Sequence, residues 1–446
     1  MNNVGDGFYA QAWRMSSPSR VVFSAPLQRF GSAYPRVSAA ILSRSVLSWP
    51  LSAVVGRVQL SAAALFGARF FVVGKAFHPK TIRRKPVADN ISVVDCDGHI
   101  IESIPEMVPF LEPVDRDIAL RPSRNRQGIF AGLDAIHYPR NVRKSGEVEA
   151  PRRPRVDASD HRKGSGEDWV AFLEKTGVSR AVLFPSEGLS VGFFQQADYA
   201  ARVCRAFNDY VAERYRSVDR RLHPMGLIAM QDVREAVKEL RRLVLDLKLP
   251  GAMLPSRGLP LHLGHDYYWP VYEQAANLGC VLGIHGGSSL GLGADTFTDA
   301  WAARVLRHPV PLALEFVSLV YHGVFDRCKD LRIGFFEGGC AWILLLKDRM
   351  DRDDNVYTTS TGHARSLNDY LASGQILVGC EGNEWILPYV IQQCGAQAFA
   401  YASDYPHEVD LVAAKQMIHE TAERPDLTEA QKAAVLGENA RRFFRL

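Results

Sequence analysis

Asp97 and His99 stand one residue apart in Asp95-Cys96-Asp97-Gly98-His99, where a short β-branched run over 91–94 ends. In an extended strand, residues i and i+2 point the same way, so both side chains can face one point. His285 closes another apolar run, Val281-Leu282-Gly283-Ile284-His285, and Asp404 closes a third, in Ala402-Ser403-Asp404-Tyr405-Pro406-His407. Two imidazoles and two carboxylates make a nitrogen/oxygen donor set suited to Zn2+, Mn2+ or Fe2+. Each residue alone has a plainer reading. A D-x-H triplet arises often by chance, a histidine after an apolar run is more often a hydrogen-bonded core residue, and Asp404 before Tyr-Pro can simply start a turn. Their shared placement at strand ends makes the metal reading, and it needs a fold that brings those ends together.

The elements that would do so alternate along the chain. Short apolar runs occupy 91–94, 181–184, 222–230, 251–254, 281–285, 331–336, 376–380 and 399–403, each bounded by Gly, Pro or charge. Continuous runs of this length suit strands buried on both faces. Helical patterns lie between them at 167–175, 195–216, 232–247, 267–278, 312–328, 341–352, 384–393 and 411–420, and a last helix opens with the capping box Thr428-Glu429-Ala430-Gln431. Strands alternating with helices predict a parallel sheet. Eight such units predict an α/β fold of the (β/α)8 TIM-type barrel more than a doubly wound sheet. In a barrel, Asp97, His99, His285 and Asp404 would converge at the catalytic mouth.

The 446 residues carry a net charge of +4 and are 47% hydrophobic, which excludes a disordered chain, a collagen-like repeat and a small disulfide scaffold. Seven scattered cysteines with no C-x-x-C pair exclude a zinc ribbon and fit a reducing, cytoplasmic setting. The charge is divided unevenly. Residues 1–88 hold twelve Arg/Lys and the single acid Asp6, so they carry +11 and the remainder −7. This segment is expected to be a basic, poorly ordered extension or the product of an upstream start codon chosen in error, with the barrel in 89–446. A targeting or membrane-surface role and an accessory element are the other readings. No run there reaches the roughly 18 uncharged residues of a spanning helix, and no folded basic face with aromatic residues points to nucleic acid. Residues 112–166, polar and rich in Arg, Pro and Gly, interrupt the barrel after its first strand, as a lid-like insertion over the mouth or a surface excursion. The glycine-rich stretch 286–293 lacks the G-K-[ST] ending and dinucleotide spacing, and reads as a flexible loop beside His285.

Four stretches together carry a family resemblance: Val94-Asp95-Cys96-Asp97-Gly98-His99, Phe335-Phe336-Glu337-Gly338-Gly339-Cys340-Ala341-Trp342, Ala402-Ser403-Asp404-Tyr405-Pro406-His407, and Leu436-Gly437-Glu438-Asn439-Ala440-Arg441-Arg442. From about residue 91 onward the chain resembles the amidohydrolase superfamily, in the branch called amidohydrolase family 2 that includes aminocarboxymuconate-semialdehyde and resorcylate decarboxylases. The resemblance implies a distorted barrel with one catalytic divalent ion, usually zinc and sometimes manganese, and often a homodimer. Asp97 and His99 stand where the family has H-x-H or E-x-H, His285 matches the strand-five ligand, and Asp404 the strand-eight carboxylate. Glu337 stands where relatives often carry a catalytic His.

Asp404 is the candidate proton carrier, and Glu337 a second acid/base if burial raises its pKa, or else one half of an ion pair with a barrel Arg or Lys. His407 either orients a ligand or sits in solvent. His322 is read as substrate-facing or as packing, and Arg349 as a surface or inter-subunit residue or a clamp on a substrate carboxylate. Three functions follow, all for a small-molecule substrate or ligand. The first is hydrolysis of a C–N or C–O bond by metal-activated water. The second is non-oxidative decarboxylation of an aromatic or unsaturated acid. The third is a catalytically idle barrel used for binding.

Overall fold

The computed structural model describes residues 91–120, 129–130, 164–288, 290–297, 300–356 and 363–446. The expected N-terminal extension and most of the 112–166 insertion lie outside the described residues.

Nine strands form the staves: β1 (Val94–Ile100), β2 (Arg180–Pro185), β3 (Leu222–Pro224), β4 (Gly226–Leu227), β5 (Gly251–Pro255), β6 (Val281–His285), β7 (Arg332–Phe336), β8 (Ile376–Cys380) and β9 (Phe399–Tyr401). All neighbouring pairs are parallel, in the orders β1-β2-β3 and β4 through β9. The run expected over 222–230 is thus one stave broken in two. Pro224 has no N–H to give the ladder, and the chain changes partner there, from β2 to β5. The ring closes where His99 N donates to Tyr405 O at 2.7 Å and Asp404 N to Asp97 O at 2.9 Å. This is the expected eight-stave barrel, with third-stave pairing interrupted.

Every stave is buried almost throughout, because helices cover the outside and side chains fill the inside. Phe184 and Phe336 occupy the interior with ring centroids 4.7 Å apart, and Phe184 lies 5.1 Å from the His285 ring. A Cβ on Gly283 would come within 2.6 Å of Phe184, so only glycine lets that ring fill the floor beneath His285. At the opposite end, helix Asn439–Phe444 plugs the barrel. Asn439 Nδ2 donates to Ala396 O (2.7 Å) and Phe399 O (2.8 Å), and Phe444 packs toward Phe336.

Helix ends follow local chemistry. Ser165 caps helix Gly166–Thr176 in a full capping box, and Asp232 caps Val233–Leu245. The pattern read as one helix over 312–328 is two, Pro309–Tyr321 and Val324–Arg327, because Gly323 adopts φ 69° between them. The described part of the insertion packs on helix Ala197–Val211. Asp115 there takes a two-pronged contact from Arg202 (2.7 and 3.1 Å), and Phe130 stacks on Phe194. No helix among the described residues is long and apolar enough to cross a membrane.

Candidate metal-dependent active site

β1 places the first two candidates. Its pairing with β2 slips by one residue between Asp95 and Gly98, a bulge that re-aims the strand next to the site. Trp169 packs flat against Gly98, where a Cβ would meet the indole at 2.2 Å, and its Nε1 donates to His99 O at 2.9 Å. Asp97 and His99 are both fully buried.

His285, at the end of β6, brings its Nε2 to 3.1 Å from Asp97 Oδ1. Its Nδ1–H donates to Gly286 O at 2.7 Å. A carbonyl can only accept, so this bond makes Nδ1 a donor and turns Nε2 toward the site. His99 is arranged alike, Nδ1–H donating to Pro185 O at 3.3 Å. Its Nε2 and Asp97 Oδ2 are buried with no hydrogen-bond partner. One donor atom each from Asp97, His99 and His285 lie within 4.8 Å of one another. Such orphaned donors are costly unless something binds them, and the set fits a divalent cation.

Asp404 follows β9 with φ 58° and Glu337 follows β7 with φ 64°. Non-glycine residues rarely hold this left-handed conformation, and such strain clusters at functional sites. Asp404 Oδ1 sits 3.3 Å from His99 Nε2 and accepts from His407 Nδ1–H at 2.9 Å. With Nδ1 protonated, His407 Nε2 accepts from Ser186 Oγ–H at 2.7 Å, and the ring stacks on His99 with centroids 3.9 Å apart. His407 therefore orients the site instead of sitting in solvent. Glu102 holds the loop that carries Ser186, accepting the backbone N–H groups of Ser186, Glu187 and Gly188 at 3.1, 3.0 and 2.9 Å.

Electrostatics sort these groups. Burial raises Asp97 to a pKa of about 6 against the pull of His285, and raises Asp404 against His407. Burial holds His99 well below the usual imidazole range. Burial also opposes charge on His285, but Asp97 and Glu337 outweigh it and raise that pKa to about 9. Glu337 corrects the expectation of a raised acid. Burial does push it up, yet His308, His285 and His99 together hold it well below the carboxylate range. Its ion-pair partner is no barrel Arg or Lys. Oε2 lies 3.3 Å from both His308 Nδ1 and His285 Nδ1.

Two expected residues stand apart. His322 is exposed at the far end of helix Pro309–Tyr321, donating to Ser318 O, about 20 Å along the helix axis from His308 at its start. Arg349 is exposed on helix Trp342–Val356 and pairs with its neighbour Asp348 at 2.7 Å, as a surface or inter-subunit residue would. The structure instead adds His308, Arg304, Ser186 and Glu102. The signal for His308 was Pro309 after it, because proline favours the first turn of a helix and marks the N-terminus three residues before the expected start. Arg304 lay in a segment with no assigned element. A cavity of about 580 Å3 opens above Asp97, Asp404 and Glu337, with Arg304 and His308 on its wall.

The chain is similar to known decarboxylases in sequence and in fold. A 2-amino-3-carboxymuconate-6-semialdehyde decarboxylase from Dictyostelium discoideum is 24% identical over 57% of this chain and 70% of its own length. A gamma-resorcylate decarboxylase from Polaromonas sp. (strain JS666 / ATCC BAA-500) is 25% identical over 62% of this chain and 86% of its own. Among solved structures, a dihydroxybenzoic acid decarboxylase from Polaromonas sp. JS666, with bound manganese and the inhibitor 2-nitroresorcinol, superposes with a TM-score of 0.56 at 19% identity, covering 80% of this chain and 97% of that one. The family model described as amidohydrolase matches residues 94–446, from the first residue of β1 onward, and by that match the chain belongs to the amidohydrolase family.

Proposed function

We propose that this protein is a metal-dependent, non-oxidative decarboxylase of a small aromatic or unsaturated carboxylic acid. Decarboxylation thereby moves ahead of hydrolysis, the first expectation from sequence, because both relatives matched over more than half of the chain are named decarboxylases. The observation that carries the reading is Asp404, a carboxyl on the cavity lining, 3.3 Å from His99 Nε2 and held by His407, where a substrate carbon can meet it. Carbon protonation needs such an acid at working pH.

Asp97, His99, His285 and Asp404 would hold the cation. Manganese replaces zinc as the first candidate, since oxygen donors are half of this set and manganese occupies the dihydroxybenzoic acid decarboxylase. When bound, the cation supplies Lewis-acid polarisation of a substrate oxygen and offsets negative charge. Asp404 passes its proton to the ring carbon bearing the carboxylate. The carbon–carbon bond then breaks, its electron pair returns to the ring, CO2 leaves, and Asp404 takes a proton back from solvent. His407 holds Asp404 in line, and Ser186 fixes the His407 tautomer. Pro185 O and Gly286 O keep the two ligand imidazoles from turning.

The test is CO2 release by manganese-loaded protein across hydroxybenzoates and carboxymuconate semialdehydes, beside a panel of amides and lactones. Turnover of an amide or lactone with no CO2 from any acid would return the reading to hydrolysis. Metal content below about 0.1 equivalent, with no thermal stabilisation by added metal, would favour an idle barrel.

A further inference from the structure

The cavity is rich in carboxyl groups. Asp97, Asp404, Glu337, Glu381 and Glu384 all line it. An acid entering such a space meets repulsion unless a fixed positive group receives it. Among the described residues that line the cavity, Arg304 is the one with a permanent positive charge. It stands on helix Ala300–Arg307, in the segment after β6, with Val305 and His308 on the same wall. His308, four residues on, has its Nδ1 3.3 Å from Glu337 Oε2 and so lies against that carboxylate.

Arg304 has a carboxylate partner already, and the identity of that partner is informative. Glu408, in the segment after β9, meets its guanidinium. The pair joins the loops after two staves beside the cavity. Glu408 is 57% exposed and Arg304 28%. The carboxylate is the half of the pair that can move into water at little cost, while the guanidinium remains on the wall. A planar guanidinium binds carboxylates through paired N–H donors, so a second carboxylate can take the place of the first without any rebuilding of the site.

We propose that Arg304 is the recognition residue for the acidic group of the substrate, and that a small aromatic acid displaces Glu408 from it on binding. The proposal rests on the acid-substrate reading above and names the residue that selects the acid.

The experiment is binding to the manganese-loaded protein by isothermal titration, comparing hydroxybenzoates such as 2,6-dihydroxybenzoate with their carboxamides. The ratio of the two dissociation constants isolates the charge. R304Q should weaken acid binding about 10- to 100-fold while amide binding changes by less than about threefold. R304K should fall between R304Q and the native protein, and E408Q, which removes the competing carboxylate, should tighten acid binding by about threefold. Metal content and Tm are measured on each variant. Should R304Q unfold, R304K and E408Q decide: an acid-to-amide ratio unchanged in both overturns the proposal. So does an unchanged ratio in a folded R304Q, since selection then comes from the metal alone, and so does a native protein that binds no acid more tightly than its amide. Arg304-dependent acid selectivity without CO2 release removes the decarboxylase reading and leaves the anchor in place.

Discussion

The barrel mouth and two polar clusters on the barrel wall bury polar groups, and they treat them in opposite ways. On the wall, Asn208 donates to Leu227 O (2.8 Å) and Glu239 Oε1 (2.7 Å) and accepts from Leu227 N (2.7 Å). Gln375 likewise donates to Phe325 O and Cys328 O and accepts from Arg365. At the mouth, Asp97 Oδ2 and His99 Nε2 are buried with no hydrogen-bond partner. Two residues there also hold positive φ angles. A satisfied polar network adds rigidity, whereas an unsatisfied one stores unfavourable energy that a ligand can release.

The contrast breaks most directly at His285. His285→Ala should lower bound metal from about one equivalent to near none, and CO2 release by more than about a thousandfold. Elemental analysis of the purified variant checks it, and full metal content would dissolve the distinction between the two regions. On the wall, Asn208→Ala strands the Leu227 backbone groups and should reduce unfolding free energy by about 3 kcal/mol, read by urea denaturation, with metal content unchanged. A variant that kept its stability and lost its metal would reverse the assignment.

His407→Ala sharpens the boundary, since that residue touches Asp404 and Ser186 and stacks on His99. Metal affinity or turnover should fall about 10- to 100-fold with an unchanged melting temperature. The smallest effect concerns His223, a wall residue in β3 whose Nε2 has no partner. Burial lowers its pKa from 6.5 to about 4. Above pH 6.5 both folded and unfolded chains leave it neutral. Between pH 6.5 and 4 the unfolded chain takes up a proton that the folded one refuses, so stability falls on acidification, by about 3 kcal/mol at most. His223→Phe should flatten that slope, and denaturation at the two pH values measures it.

Much of this was legible in local pattern. Seven of the eight apolar runs overlie staves, since burial on both faces demands continuous apolar sequence, while the first, 91–94, meets β1 at Val94 alone and the strand runs on through Asp97 and His99. Asp97, His99, His285 and Asp404 stood out because strand ends in a barrel converge. The break at Pro224-Met225, the bulge between Asp95 and Gly98 and the split at Gly323 did not stand out, because each changes register or direction without changing composition.

Strand number, stave order and the residues at stave ends were therefore present in the chain as written, because alternation of period and polarity is a local property. Which arginine faces the cavity, which histidine stands against Glu337 and which of its own neighbours holds Asp404 were settled by packing. Arg304 and Arg349 are alike as letters. Helix Ala300–Arg307 puts the first on the cavity wall, while helix Trp342–Val356 turns the second outward to solvent. Such facing depends on where each helix begins and what it leans on, and contacts between distant segments decide both.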